Sequence, residues 1–271
     1  MSGRTERYGD GIFSHAAPNE RARLDALGAV LDPVSTDVLK AIPERRGLRL
    51  LELAAGTGSI AWWMAGHFAD SRVTATELDT RFLHANGHRN LTVQEHDVTS
   101  DGFPSRSFDA IHARYLLCHL PDRLSVVGQL IRWLAPGGTL ILEDPSLFSL
   151  RAAHDDTYRR VSLGVLQVLN KRIGTDCEQW PASMTNHLAD HGMTDVGLRV
   201  TVPTVAHDTP MGAFWNLTVR HLAPSLAELP GISRGDVLQA LRQMSLPGFI
   251  DLGMATYTVT ARKPGSQIVS E

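Results

Sequence analysis

The chain has 271 residues, 43% of them hydrophobic and 20% charged, with a formal net charge of −3. That length allows one large α/β domain with additional helices, and the weakly negative balance gives no basic field for nucleic acid or a membrane surface. Two cysteines, Cys118 and Cys177, are too few for a disulfide framework or a cysteine-only zinc site; the stretch MSGRTERYGDG is unlike a signal peptide, and no apolar run is long enough to span a bilayer. The expectation is a cytoplasmic protein. Lysine occurs only at 40, 171 and 263, an arginine bias that points to a high-GC bacterial gene.

In chain order, residues 18–42 read as two short helices, with Leu24, Leu27 and Leu31 on one face and Asp32-Pro33 as a fresh cap. Strands are expected at 48–53, 72–77, 91–95, 108–113 and 138–143, with helices between them. The clearest helix runs over 121–134, carries Leu124, Val127, Ile131 and Leu134 in register, and stops at Pro136-Gly137-Gly138. Such alternation makes a parallel sheet with right-handed crossovers. Further on, 151–171 and 180–191 read as helices and 194–205 as a strand. An insertion follows with helical patterning at 210–223 and 234–244, and 254–262 alternates as a last strand. The tail from Pro264 is expected to fray, and the clusters Arg21-Ala22-Arg23 and Glu44-Arg45-Arg46 read as solvated faces.

Chemistry concentrates in Leu50–Gly58, where a buried strand carries Glu52 and runs into Gly56-Thr57-Gly58 before Ser59 starts a helix. Glycines let the backbone turn sharply and approach a ligand, and the following helix N-terminus offers unpaired N–H groups. The turn also fits G-x-G-x-x-G/A, with Glu77 about 20 residues on, as in a dinucleotide fold. Two neighbours separate the readings. Glu52 would repel a pyrophosphate but attract a sulfonium or ammonium group. Asp97, after the third apolar segment, can accept a hydrogen bond from an adenine amino group. Neither Tyr115 nor Tyr158 has a lysine four residues later, as many short-chain dehydrogenases do. S-adenosylmethionine fits this set better than NAD.

The sequence resembles the class I S-adenosylmethionine-dependent methyltransferases of the bacterial small-molecule type. The resemblance rests on Leu51–Gly58, VTATELDTRFL at 73–83, Glu95-His96-Asp97-Val98, FDAIHAR at 108–114, Leu120-Pro121-Asp122 and LAPGGTLILE at 134–143, with a weaker echo in DHGMTDV at 190–196. It implies a Rossmann-like, doubly wound, seven-stranded sheet, mostly parallel with the last strand antiparallel. It further implies an N-terminal helical cap segment over 1–47, a cofactor core over 48–144, and a C-terminal part over 145–271 with acceptor-binding insertions near 145–175 and 208–250. The cofactor residues it implies are Glu52, Ala54, Gly56, Gly58, Glu77, Leu78, Asp97, Val98, Ala113 and Arg114. Ala54 departs from the pattern: it replaces the first glycine of acidic-x-G-x-G-x-G.

The activity implied is methyl transfer to a small aromatic or apolar metabolite, at oxygen before nitrogen or carbon, in natural-product biosynthesis; a homodimer is compatible with it. His119, after strand four, is the candidate base, because an imidazole transfers protons near neutrality; the plainer alternative is a histidine packed beside the cofactor. Asp144 and His154 are secondary candidates. Tyr158, Met211, Phe214 and Trp215, together with Leu166 and His221, are candidate acceptor contacts, against which stands the ordinary reading of an aromatic stripe as core. Trp62 and Trp63 face different sides of one helix, so at least one belongs to the core. The acids Glu143, Asp144, Asp155 and Asp156 with His154 lack the spacing of a catechol-methyltransferase metal site, so no metal is expected. Cys118 lacks the preceding proline of cytosine-5 enzymes, and Asp144-Pro145-Ser146-Leu147 lacks the aromatic of the adenine-N6 motif. The main alternative is the same fold used without methyl transfer, for example in a cyclisation, since fold does not fix function; an NAD-type oxidoreductase ranks below it.

Overall fold

Strand β1 (Arg49–Leu53) is almost wholly buried, and Leu50, Leu51 and Leu53 are inaccessible to within 1%. A strand covered on both faces reads as a continuous apolar run, which is why Glu52 stands out in it. In the computed structural model, which describes residues 6–9, 11–43 and 45–265, β1 lies inside a seven-stranded sheet. The other strands are β2 (Arg72–Glu77), β3 (Leu91–Glu95), β4 (Phe108–Arg114), β5 (Leu134–Ser146), β6 (Thr194–Thr201) and β9 (Ala255–Arg262). Their order is β3-β2-β1-β4-β5-β9-β6. The pairs β1–β2, β1–β4, β2–β3 and β4–β5 are parallel, and the last strand runs antiparallel. The chain order therefore reverses between β1 and β4, the switch point at which open α/β sheets bind ligands outside the carboxyl ends of their strands.

The described residues divide into two compact units, one of 32–144, 182–199 and 257 onward, the other of residues up to 31, 145–181 and 200–256. In the first, one sheet face packs Leu50, Val73, Ala75, Ala110 and Ile141 against Ile60, Ala61 and Met64 of helix α2 (Ser59–His67). Val38 and Leu39 of helix α1 (Glu20–Leu39) and the following Ile42 complete that core. Helix α3 (Arg123–Trp133) buries Val126, Val127, Leu130 and Trp133.

The second unit is built on helices α5 (Asp156–Ile173), α7 (Pro210–Leu226) and α8 (Arg234–Met244), which pack on one another. The short strands β7 (Thr204–Ala206) and β8 (Ile250–Leu252) pair antiparallel beside them. Asp251 ties this pair to the start of α5 by accepting from the His154 and Asp155 backbone N–H groups at 2.9 and 2.8 Å. Helix α4 (Phe148–Arg151) is a single turn, and α6 (Gln179–Asp190) precedes β6.

Several expected elements differ. Residues 20–39 form one continuous helix that carries Pro33 inside it, where two short helices were expected. Asp32 therefore caps nothing; its carboxylate accepts from Arg114 instead, at 2.9 Å. No α-helix joins β2 to β3 or β3 to β4 among the described residues. Asn86 and Gly87 adopt positive φ in the first connection, and Gly102 and Pro104 lie in the second, so neither segment holds a helical run. The expected strand 194–205 is two strands, interrupted at Val202-Pro203 where proline has no N–H to give a ladder. The expected helix over 151–171 is divided, and Asp155 caps α5 by accepting from the Tyr158 N–H at 2.8 Å. β5 starts at Leu134, ahead of the expected 138, with a register irregularity against β4 that absorbs Pro136-Gly137. The tail beyond Gly265 and Glu44 lie outside the described residues.

Arg23, expected on a solvated face, is 4% exposed. It donates to both carboxylate oxygens of Glu20, at 2.9 and 2.6 Å, and to the Tyr8 hydroxyl at 3.0 Å. Its guanidinium lies 4.0 Å from the Phe13 ring centroid and 5.3 Å from that of Phe214. Planar, weakly hydrated guanidinium suits such a site, where a lysine would not. Removing one partner of a buried ion pair strands the other charge, whereas removing both does not. Arg23→Met should therefore lower unfolding stability by about 3–5 kcal/mol, and the double variant Glu20→Leu/Arg23→Met by much less. Chemical denaturation of the three proteins checks this.

Candidate functional site

The carboxyl ends of β1, β2 and β4 carry most of the expected residues. Ala54 leaves β1 with φ +52°, in the left-handed region that costs a non-glycine residue about 1–2 kcal/mol. Tyr115, just past β4, has φ +54°, and its N–H donates to the Glu143 carbonyl at 2.7 Å. Strained backbone at two adjacent strand ends is typical of a site where the chain must leave the sheet in a set direction. Gly56 has φ +57° with no atom within 4 Å of where a Cβ would stand. Gly58, at φ +92°, is closed in: its Cβ would meet Leu83 Cδ1 at 2.9 Å and Trp62 Cε2 at 3.1 Å. So the two glycines do different work. Gly58 lets α2 pack against the segment after β2, which Trp62 also fastens by donating from Nε1 to the His84 carbonyl at 2.7 Å. Gly56 keeps open space beside the turn.

Glu77 closes the turn from β2. Its carboxylate accepts from the Gly56 N–H at 2.9 Å and from the Leu78 N–H at 2.7 Å, so the acid at the end of β2 is aimed back at the glycine turn. Asp97 follows β3 and accepts from the Thr99 N–H and hydroxyl at 3.0 and 2.7 Å, which shapes the turn it stands in. Val98 beside it is buried. The expected residues Glu52, Ala54, Gly56, Gly58 and Glu77 are thus neighbours in one turn region, and Ala113 pairs with Leu53 across β1 and β4.

Glu52 is engaged in a way that spacing alone did not reveal. Registers pair Glu52 with His112, His112 with Ile141, and Arg114 with Glu143, which puts these side chains on one sheet face. His112 Nδ1 lies 2.6 Å from Glu52 Oε2, and Nε2 lies 3.3 Å from Glu143 Oε2. The Ser35 hydroxyl of α1 donates to the same Glu143 oxygen, and Thr258 of β9 donates to the other at 2.8 Å. Arg114 donates to Ser35 Oγ and to Asp32, each at 2.9 Å. The His112 side chain has no exposed surface.

Burial alone would lower the His112 pKa, but Glu52 on one side and Glu143 on the other raise it to about 9. Burial would raise Glu143, yet His112, Arg114 and the Ser35 hydroxyl bring it down to about 2. Burial dominates at Glu52 and pushes its carboxyl upward, against the pull of His112. The row therefore sets a buried histidine between two acids, Glu143 held toward its ionised form and Glu52 pushed toward its protonated one. Taken with the Arg114–Asp32 pair, three acidic side chains here face His112 and Arg114. His112, Ser35 and Thr258 were missed from sequence. The available signal was a histidine at an inward position of FDAIHAR, in line with Glu52.

His119 ends a 3-10 turn (Leu117–His119) after β4 and is half-buried. Asp144 is buried near the end of β5. Tyr158, Met211, Phe214 and Trp215 belong to the helical unit and are exposed by 3% at most. The Tyr158 hydroxyl donates to the Leu252 carbonyl at 2.9 Å, and Trp215 Nε1 donates to Ser162 Oγ at 2.6 Å. Leu166 is buried, and His221 stacks on Phe13 at 4.9 Å between centroids. These side chains are therefore buried within that unit, with the polar ends of Tyr158 and Trp215 hydrogen-bonded inside it. No group of three His, Cys, Asp or Glu side chains is placed to hold a metal, and no helix is long and apolar enough to cross a membrane, among the described residues.

A group whose folded pKa lies above its unfolded value stabilises fully below the unfolded value and loses that contribution as pH rises through the folded one. His112 should therefore support stability below about pH 6.5, and that support should decline up to about 9. Thermal unfolding from pH 6 to 10 should show this fall in the native chain, and His112→Gln should flatten it.

A family model described as a methyltransferase domain matches residues 26–191. Methyltransferase str2 of Strobilurus tenacellus is 35% identical over 129 residues, 46% of this chain and 46% of its own. The 27-O-demethylrifamycin SV methyltransferase of Amycolatopsis mediterranei (strain S699) is 32% identical over 141 residues, 48% of this chain and 51% of its own. The chain thus spans about half the length of these curated relatives. Phosphoethanolamine N-methyltransferase 2 of Haemonchus contortus, solved with S-adenosyl-L-methionine, superposes with a TM-score of 0.57 at 16% identity, over 90% of this chain and 57% of its own. The family match covers more than half of the sequence, and the chain belongs to the class I methyltransferases whose cofactor is S-adenosylmethionine.

Proposed function

We propose that the protein transfers the methyl group of S-adenosylmethionine to an oxygen of a small, apolar or aromatic metabolite in natural-product biosynthesis. The observation that carries the cofactor part of this reading is the pair of acids beside the glycine turn, Glu52 buried on β1 and Glu77 aimed back at Gly56 from the end of β2. A cationic amino acid end fits there; a pyrophosphate would meet Glu52 and Glu77. On this reading Glu52 and the turn Ala54–Gly58 receive the methionine end, and Glu77 with Leu78 receives the ribose. Asp97 and Val98 flank the adenine, and Ala113 and Arg114 complete the wall from β4. The similarity to the 27-O-demethylrifamycin SV methyltransferase supports the acceptor class.

The cofactor supplies a methyl group already activated on sulfonium, so the chain's own residues must align the acceptor and exclude water. For a hydroxyl acceptor, His119, in the 3-10 turn after β4, would take the proton as the acceptor oxygen becomes nucleophilic. If it does so, His119→Ala should reduce kcat by about 10²–10⁴-fold and leave cofactor affinity unchanged. Weakened cofactor affinity with kcat preserved would instead assign His119 to packing.

Calorimetry should detect binding of S-adenosylmethionine and of its demethylated product, and none of NAD. Gly56→Ala is the sharper probe than any change at Gly58, because a Gly56 methyl meets no protein atom while a Gly58 methyl meets Leu83 and Trp62. It should weaken cofactor binding at least about tenfold and lower stability by only about 1–2 kcal/mol, the cost of a left-handed alanine. NAD binding in place of S-adenosylmethionine would overturn the reading. An isotope-labelled methyl found in the product separates methyl transfer from a cyclisation that leaves the cofactor intact.

A further inference from the structure

We propose that His112 is a positioning residue for cofactor binding, its imidazolium fixing both the charge and the direction of Glu52 at the carboxyl end of β1. The inference rests on the reading above that Glu52 receives the cationic end of the cofactor, and it adds a residue of β4 that itself touches no ligand.

The geometry is specific. Glu52 is 3% exposed, and an isolated carboxylate at such a depth would hold a proton and lose its use as a partner for ammonium. His112 Nδ1 lies 2.6 Å from Oε2, so a proton on that nitrogen holds one edge of the carboxylate. A single proton on imidazole can serve only one of two flanking acids. The two distances, 2.6 Å to Glu52 and 3.3 Å to Glu143, place an acidic oxygen at each ring nitrogen, an arrangement the doubly protonated ring satisfies with both acids ionised. The groups packed around the imidazole are Glu52 from β1, Glu143 from β5, Arg114 from β4, Ser35 and Asp32 from α1, and Thr258 from β9. Glu143 keeps the Ser35 and Thr258 hydroxyls when His112 changes. Among the described residues Glu52 has no second cation as near: Arg114 acts on it through space while its guanidinium donates to Ser35 and Asp32. Loss of the imidazolium therefore falls mainly on Glu52.

This predicts a pH signature that a purely structural histidine would not produce. Calorimetric affinity for S-adenosylmethionine should be nearly flat between about pH 6 and 8 in the native chain. In His112→Gln the carboxyl of Glu52 keeps its proton at neutral pH, so affinity should be at least about tenfold weaker near pH 6.5 and recover as pH rises, by up to about tenfold per unit. Glu52→Gln should be weak at every pH. Glu52→Gln/His112→Gln, which removes both charges and keeps an amide pair, should bind no worse than Glu52→Gln, because His112 acts through Glu52. Circular dichroism at each pH reports folding, and the double variant carries the test if His112→Gln fails to fold. The inference is overturned if His112→Gln matches the native profile, if it is weaker by the same factor at every pH, or if the double variant loses both factors in full. Unchanged affinity in Glu52→Gln would remove its premise. No binding of S-adenosylmethionine by the native chain would sink the cofactor reading itself.

Discussion

A buried histidine held between two buried acids organises the middle of this sheet. Glu52, His112 and Glu143 stand on three neighbouring strands with the imidazole between the carboxylates. Below this row, toward the amino ends, the same face is apolar: Leu50, Ala110 and Ile141 pack beneath α2 and α1. The change from hydrocarbon to charge within one turn of the pleat divides scaffold from site. Burying three ionisable groups is expensive unless each finds its counterpart, and here hydroxyls from α1 and β9 complete the set around Glu143. The turns that leave β1 and β4 inherit their positions from that row, because β1, β4 and β5 cannot slide in register without separating these side chains.

The glycine turn depends on this constraint. With β1 and β4 fixed, the chain leaves each through a residue of positive φ, Ala54 and Tyr115. Glu77 then holds the turn from β2 by two backbone N–H groups. The acids of successive strands thus take different roles from their surroundings. Glu52 is buried against a cation, Glu77 is half-buried on backbone donors, and Asp97 shapes its own turn. Similar side chains acquire distinct electrostatics through neighbours supplied by other strands.

That dependence explains what was legible from the sequence. The sheet could be read because its strands are short apolar runs bounded by Gly, Pro, Asn and Asp, and the cofactor turn because Glu52, the glycines and Glu77 lie within one strand–turn–helix–strand unit. His112 could not be assigned a role locally: its partners are 60 and 31 residues away, and only the registers bring them together. Arg23 misled because a charged run at helical spacing looks solvated until Phe13 and Phe214 cover it. Pro33 misled in the opposite direction, since a proline after aspartate reads as a helix start and tertiary packing carried the helix through it. Tyr158 and Trp215 could be named as aromatics on helices, but which atoms their polar ends would meet depended on β8 and α5.

Ala54 has a consequence for how such chains are to be grouped. The signature acidic-x-G-x-G-x-G is written in letters, yet what the turn at this position demands is a torsion angle, φ near +52°. Alanine meets that demand at a cost of about 1–2 kcal/mol, small enough for the surrounding sheet to impose it. Alanine at the first glycine position is therefore a small change in stability, and the chain still leaves β1 through a left-handed residue. At this one position the letter departs from the signature while the dihedral angle is one that glycine adopts freely.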